Sequence, residues 1–161
     1  MDAIIIETKV NRYNFTELVP EIQELINKAK EQVDKAYAPY SEFKVGAAVL
    51  LENGAVFSGS NQENAAYPSG LCAERVALFY ANAQFPEIAV KAIAIAAFTA
   101  NDYVKNPITP CGSCRQVILE AETRSNKPIS IYMYGSEIIY QVENIAQLLP
   151  LRFEKKNLGQ Q

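Results

Sequence analysis

Cys72-Ala-Glu-Arg-Val-Ala-Leu-Phe-Tyr-Ala-Asn-Ala83, Val90-Lys-Ala-Ile-Ala-Ile-Ala-Ala-Phe98, Gly112-Ser-Cys-Arg-Gln-Val-Ile-Leu-Glu-Ala-Glu122 and Ile129-Ser-Ile-Tyr-Met-Tyr134 are the runs that decide the fold. The first and third read as helices, because a Pro68-Ser-Gly-Leu turn precedes one and Pro107 and Pro110 precede the other. The second and fourth are shorter apolar runs and read as strands. Upstream, Lys44 to Leu51 and Val56 to Ser60 read as strands joined through Glu52-Asn53-Gly54, where Asn-Gly is a strong hairpin signal. A helix before this hairpin and two helical crossovers after it are packed most simply as a mixed sheet covered on both faces. The expected architecture is therefore a three-layer α-β-α sandwich around a central mixed five-stranded sheet. The crossovers bring Cys72, Glu74, Cys111 and Cys114 to one edge of that layer.

The flanking segments are less regular. Leu18, Ile22, Leu25, Ile26, Ala29 and Val33 give residues 15–36 helical periodicity, ended by Ala38-Pro-Tyr-Ser41. A strand is expected near 137–142 and a short helix over 143–149. Ile4-Ile-Ile6 suits either an extra edge strand or a loosely attached arm. The expected organisation is an arm over 1–15, one catalytic domain over 16–154 and a polar tail over 155–161.

Composition narrows the function. A chain of 161 residues can bury a sizeable core in one domain. Charged residues interrupt every apolar run before membrane-spanning length. A formal net charge of −3 argues against broad capture of nucleic-acid phosphate. An odd count of three cysteines makes a disulfide framework a poor reading, and no hydrophobic signal segment at the N-terminus directs export. A reducing, cytoplasmic setting suits free thiolates.

Cys72, Cys111 and Cys114 can instead hold a zinc ion and leave its fourth position open. Glu74, two residues after the first cysteine, is then the natural proton carrier for an activated water. A redox dithiol at Cys111 and Cys114 would leave Cys72 and Glu74 unexplained. A closed structural zinc site would need a fourth ligand from Glu74, an Asp or another chain. Free backbone N–H groups at both helix starts favour thiolates over thiols. Three thiolates on one Zn²⁺ leave a charge of minus one, which Arg75 or Arg115 can offset by donating to sulfur.

Tyr37-Ala-Pro-Tyr-Ser-Glu-Phe-Lys-Val-Gly-Ala-Ala48, Gly59-Ser-Asn-Gln-Glu-Asn-Ala-Ala-Tyr-Pro68, Cys72-Ala-Glu-Arg75, Pro110-Cys-Gly-Ser-Cys-Arg-Gln-Val117 and Leu148-Leu-Pro-Leu-Arg-Phe153 closely resemble segments of the cytidine deaminases that act on free nucleosides. With cysteine as the first ligand, the chain resembles their small homotetrameric branch. Related zinc deaminases combine one His or Cys and two Cys ligands with a non-ligand Glu as acid/base. The resemblance implies one Zn²⁺ per subunit and a free pyrimidine nucleoside as substrate, with no stable nucleic-acid partner and no membrane. It also implies that Asn61 and Glu63 bind the ribose, chiefly its 3′-hydroxyl, and that Phe43 flanks the base. Backbone groups near Ala73 would read the cytosine carbonyl edge, and the Thr109 carbonyl would orient the amino group. Tyr67 would pack the substrate loop, and Phe153 would close the site of a neighbouring subunit. Thr109 stands where serine is usual before Pro-Cys, Ala121 stands where an aromatic is common, and the N-terminal arm is longer. These departures put the subunit contacts in question, not the reaction.

Other functions compete with this one. A nucleic-acid base editor would need a basic groove or stacking platforms, whereas Glu63 would repel a 3′-phosphate. An aminonucleoside-antibiotic deaminase shares the cysteine chemistry, but Glu63-Asn-Ala-Ala-Tyr-Pro68 favours an ordinary nucleoside. A non-enzymatic zinc module would have no need of Glu74. Phe43 and Phe153 also suit core positions, and Asn61 suits a turn cap.

Overall fold

A computed structural model describes residues 1–159. Helix α1 spans Pro20–Val33, α2 Ala73–Gln84 and α3 Gly112–Ser125. The strands are β1 (Asn11–Tyr13), β2 (Lys44–Leu51), β3 (Val56–Ser60), β4 (Val90–Thr99), β5 (Asp102–Tyr103), β6 (Ser130–Tyr134) and β7 (Ile139–Val142). They form one sheet in the order β1-β7-β6-β4-β2-β3, with β5 paired to the end of β4. Among the strands of the described residues only β4 and β6 pair in parallel, and α3 is their crossover. The five expected strands are all present. Two short strands, β1 and β5, extend the sheet to seven.

The alternation along β2 and β4 explains why three layers form. Val45, Ala47, Val49 and Leu51 join Ile93, Ile95 and Ala97 in a core under α2 and α3. Ala48 and Leu50 point the other way, with Ala92, Ala94 and Ala96, onto Ile22, Leu25, Ile26 and Ala29 of α1. Such strands are apolar at nearly every position because both faces are covered. The small residues let α1 approach closely: a Cβ on Gly46 would lie 2.0 Å from the Ala29 carbonyl oxygen.

Several boundaries differ from expectation, each for a local reason. The first helix does not begin at Phe15. A single 3₁₀ turn covers Phe15–Glu17, Leu18 and Val19 are extended, and Pro20 opens α1 at its first position. Residues 143–149 yield only a 3₁₀ turn at Ile145–Gln147, because Pro150 disfavours helix in the residue before it. The edge strand falls on Asn11–Tyr13, not on Ile4-Ile-Ile6. Asn11 donates to the Gln141 side chain at 2.6 Å, whereas residues 1–10 are exposed and carry no regular structure. The tail contains a 3₁₀ turn at Lys155–Leu158, and its last two residues lie outside those described. The carboxylate of Glu122 on α3 accepts the backbone N–H groups of Ile129 and Ile145, both at 2.9 Å. It thereby ties α3 to the entry of β6 and to the 145–147 turn.

Candidate metal and catalytic site

Both crossover helices start at the same edge of the sheet, so their N-termini converge. Cys72 is the N-cap of α2 and Cys111 that of α3, with Cys114 one turn in. The three sulfurs lie within 4.8 Å of one another, and those of Cys72 and Cys111 are 3.7 Å apart. Ligands about 2.3 Å from a tetrahedral zinc stand about 3.8 Å apart, so this donor set fits the ion. Cys114 is buried, Cys72 half-buried and Cys111 exposed, which leaves one side of the cluster open to the cleft.

The electrostatics favour thiolate at Cys72, paired with a neutral Cys114. The Cys72 thiol is lowered to about 5, first by a hydrogen bond with Cys114 and further by Arg75 and Cys111. The Cys114 thiol is pushed up by the same pairing and by burial. A cation among the sulfurs would deprotonate coordinating thiols outright. Arg75 Nη2 lies 3.7 Å from Cys72 Sγ, as expected of a residue offsetting thiolate charge. Its Nε is buried without a partner among the described residues.

Arg115 does something different. Its Nε donates to the Pro110 carbonyl at 2.8 Å, Nη1 to the Leu148 carbonyl at 2.7 Å and Nη2 to Thr109 Oγ1 at 2.9 Å. The expected donation to sulfur is therefore corrected: Arg115 clamps the loop before Cys111 to the C-terminal segment. Helical side chains lean toward their own N-terminus. From the first turn of α3, that direction leads back to Pro110 and Thr109.

Beside the cluster opens a cavity of about 710 Å³. Glu74 lines it at 5 % exposure, and burial, reinforced by the negative Cys72, pushes its carboxyl above the usual carboxylate range. Phe43, Asn61, Glu63, Tyr67, Thr109, Cys72, Cys111 and Arg75 share the same cavity. Asn61 does more than cap a turn. Its Oδ1 accepts the Val45 N–H at 2.8 Å and its Nδ2 donates to the Phe43 carbonyl at 2.9 Å, which fixes the entry of β2. Ala73 is fully buried at the start of α2. Phe153 is 59 % exposed and does not line this chain's cavity, so it is not a core residue here. Gln116 Nε2 holds the Phe153 carbonyl at 2.9 Å.

The sequence reading missed other wall residues, among them Tyr40, Ser41, Leu71 and Ile108. Tyr40 and Ser41 read as the end of a helix. Their one available signal was that they share a turn with Phe43.

Two crossover helices that bring two thiols and a protonatable, buried carboxylate to one cleft, with a third thiol buried beside them, define a metal-dependent hydrolytic enzyme. A family model described as "Cytidine and deoxycytidylate deaminase zinc-binding region" matches residues 20–127. Over 139 residues the chain is 38% identical to the cytidine deaminase of Sporosarcina psychrophila, covering 86% of this chain and 96% of that one. It is 40% identical over 137 residues to the cytidine deaminase of Halalkalibacterium halodurans, covering 85% and 97%. The solved structure of cytidine deaminase from Burkholderia pseudomallei superposes with a TM-score of 0.70 at 40% identity, covering 81% and 97%. The chain belongs to the cytidine and deoxycytidylate deaminase family of zinc-dependent hydrolases.

Proposed function

We propose that the protein hydrolyses the exocyclic amino group of free cytidine and deoxycytidine, yielding uridine or deoxyuridine and ammonia. One observation carries this reading. A single cavity holds a cluster of thiols and a buried glutamate together with Asn61 and Glu63, polar groups suited to a sugar. Cys72, Cys111 and Cys114 would hold one Zn²⁺ per chain, supplying a Lewis acid that brings the pKa of water close to neutral.

The remaining chemistry belongs to the chain's own residues. Glu74 takes the proton of the attacking water and delivers it to N3 of the pyrimidine, which makes C4 electrophilic. After attack at C4, Glu74 carries the hydroxyl proton to the exocyclic nitrogen, and ammonia leaves. Burial raises its carboxyl above the usual carboxylate range, which favours the protonated form that a proton carrier must pass through. Arg75 offsets the charge of the thiolates. Phe43 flanks the base, Tyr67 packs the substrate loop, and Ala73 and Thr109 offer backbone groups to the ring edge.

Glu63 favours a free sugar hydroxyl and would repel a 3′-phosphate, which disfavours nucleic acid. No helix among the described residues is long and apolar enough to cross a membrane. Free thiolates are best kept in a reducing compartment such as the cytoplasm. The exposed Phe153, whose backbone carbonyl accepts the Gln116 side chain, suits a wall supplied to a neighbouring subunit in a closed homotetramer. Within the arm over 1–15, the residues outside β1 would then serve contacts between subunits together with the tail over 155–161, with the catalytic work confined to 16–154.

Ultraviolet product analysis on cytidine, deoxycytidine, adenosine and their phosphates tests the proposal. Metal analysis of the same preparation should give close to one zinc per chain. Turnover of the two free cytosine nucleosides is expected. Zinc-loaded protein without turnover on any cytosine compound would overturn the reading.

A further inference from the structure

Ser41 has no role in the chemistry above, yet it organises the sugar end of the cavity. Glu63 Oε2 accepts the backbone N–H of Tyr40 at 2.8 Å and that of Ser41 at 3.3 Å. Glu63 Oε1 accepts the Ser41 hydroxyl. Ser41 Oγ in turn accepts the Phe43 N–H at 3.1 Å, which leaves the hydroxyl hydrogen to Glu63. Glu42, between these residues, sits at φ 55°, the left-handed conformation that curls the loop around the carboxylate. Ser41, Phe43 and Glu63 all line the cavity.

The count of acceptor sites is informative. An ionised carboxylate offers about four lone-pair positions and no donor. Three are occupied from within the chain, so one remains, on Oε1. The hydrogen bond from Ser41, followed by that from Tyr40, holds the carboxyl below its usual range and keeps it an acceptor. The run from Phe43 N–H through Ser41 O–H to Glu63 is also a chain of bonds that polarise one another.

We propose that Ser41 is a specificity-positioning residue, whose hydroxyl holds Glu63 so that its one remaining acceptor position is offered to a single donating hydroxyl of the substrate sugar. The inference rests on the reading that Glu63 meets the 3′-hydroxyl of a nucleoside. Ser41 touches no reacting atom; it acts through Glu63 and, by accepting the Phe43 N–H, also steadies the turn that carries Phe43. Its removal should therefore be felt most by substrates that carry the hydroxyl.

The test compares cytidine with 3′-deoxycytidine in wild type, Ser41→Ala and Ser41→Thr, with melting curves for each. Wild type should favour cytidine. In Ser41→Ala the cytidine to 3′-deoxycytidine ratio of kcat/KM should fall about three- to tenfold, the range expected for one hydrogen bond. The loss should appear in KM for cytidine and exceed any change for 3′-deoxycytidine, with Ser41→Thr restoring the ratio. An equal loss on both substrates would reduce Ser41 to a folding element and overturn the inference. So would a wild type indifferent to the 3′-hydroxyl. Failure of the zinc-loaded wild type to turn over either nucleoside would instead bring down the deamination reading beneath it.

Discussion

Replacing Arg115 with alanine removes three hydrogen bonds at once, and their geometry sets the expected loss. The guanidinium serves the carbonyls of Pro110 and Leu148 and the hydroxyl of Thr109, all within 2.9 Å. Hydrogen bonds from a charged donor contribute about 1.5–3 kcal/mol each, and a buried acceptor left alone costs about 1–3 kcal/mol. Pro110 is buried and loses its donor outright, whereas exposed Thr109 can turn to water. Leu148, half-buried, lies between these cases. Counting the first bond fully and discounting the others gives about 2–4 kcal/mol, or roughly 5–15 °C in melting temperature for a domain of this size. Because Pro110 directly precedes Cys111, the variant should also hold zinc more weakly, seen as faster loss of metal to a chelator. Arg115→Lys should recover only part of either loss, since one ammonium cannot reach three acceptors arranged for a planar fork. Thermal melts and chelator competition on the purified variants measure both effects. An Arg115→Ala protein that melts within about 1 °C of wild type and retains zinc equally well would refute the clamp.

Glu74→Gln should keep its zinc and its fold while losing turnover by about 10²–10⁴-fold, the usual contribution of a proton carrier. Its stability should hold or rise, because burial already opposes the charged carboxylate; near-wild-type kcat in the metal-loaded variant would end the assignment. Gly46→Ala places a methyl 2.0 Å from the Ala29 carbonyl oxygen and 3.0 Å from the Val33 nitrogen, backbone atoms that cannot step aside. It should cost at least about 3 kcal/mol in urea unfolding, the upper end of ordinary overpacking. A wild-type midpoint would show that β2 and α1 do not pack so closely. Phe153→Ala should leave the melting temperature of the subunit nearly unchanged, since the ring is exposed, but should raise KM for cytidine. Light scattering that finds a fully active monomer would remove the neighbour from the site.

Much of this site was legible because its elements announce themselves locally. Cys72, Cys111 and Cys114 stand at two helix starts marked by turn residues, and a helix before the hairpin with two helical crossovers after it implied a sheet covered on both sides. The misread boundaries were those where one residue outweighs a pattern. Pro20 divides an apolar periodicity that runs on into Leu18, and Pro150 shortens a helical run to one turn. Strands of two or three residues, such as β5 and β1, are too short for periodicity to register. They form because an existing sheet edge offers them partners.

By itself, the sequence determined the donor types, their spacing and the order of elements, since those depend on residue identity and local backbone preference. Tertiary structure alone decided which arginine serves the sulfur. Arg115 directly follows Cys114 and Arg75 comes three residues after Cys72, yet among the described residues only Arg75 finds sulfur in reach. Arg115 meets a carbonyl brought from 33 residues away, besides partners in the loop just before its helix. Likewise, the bond between Ser41 and Glu63 joins residues 22 apart and exists only because the turn after α1 folds against the loop after β3. A hydrogen bond requires its partners within about 3 Å, and for residues so distant in the chain only the packed fold supplies that proximity.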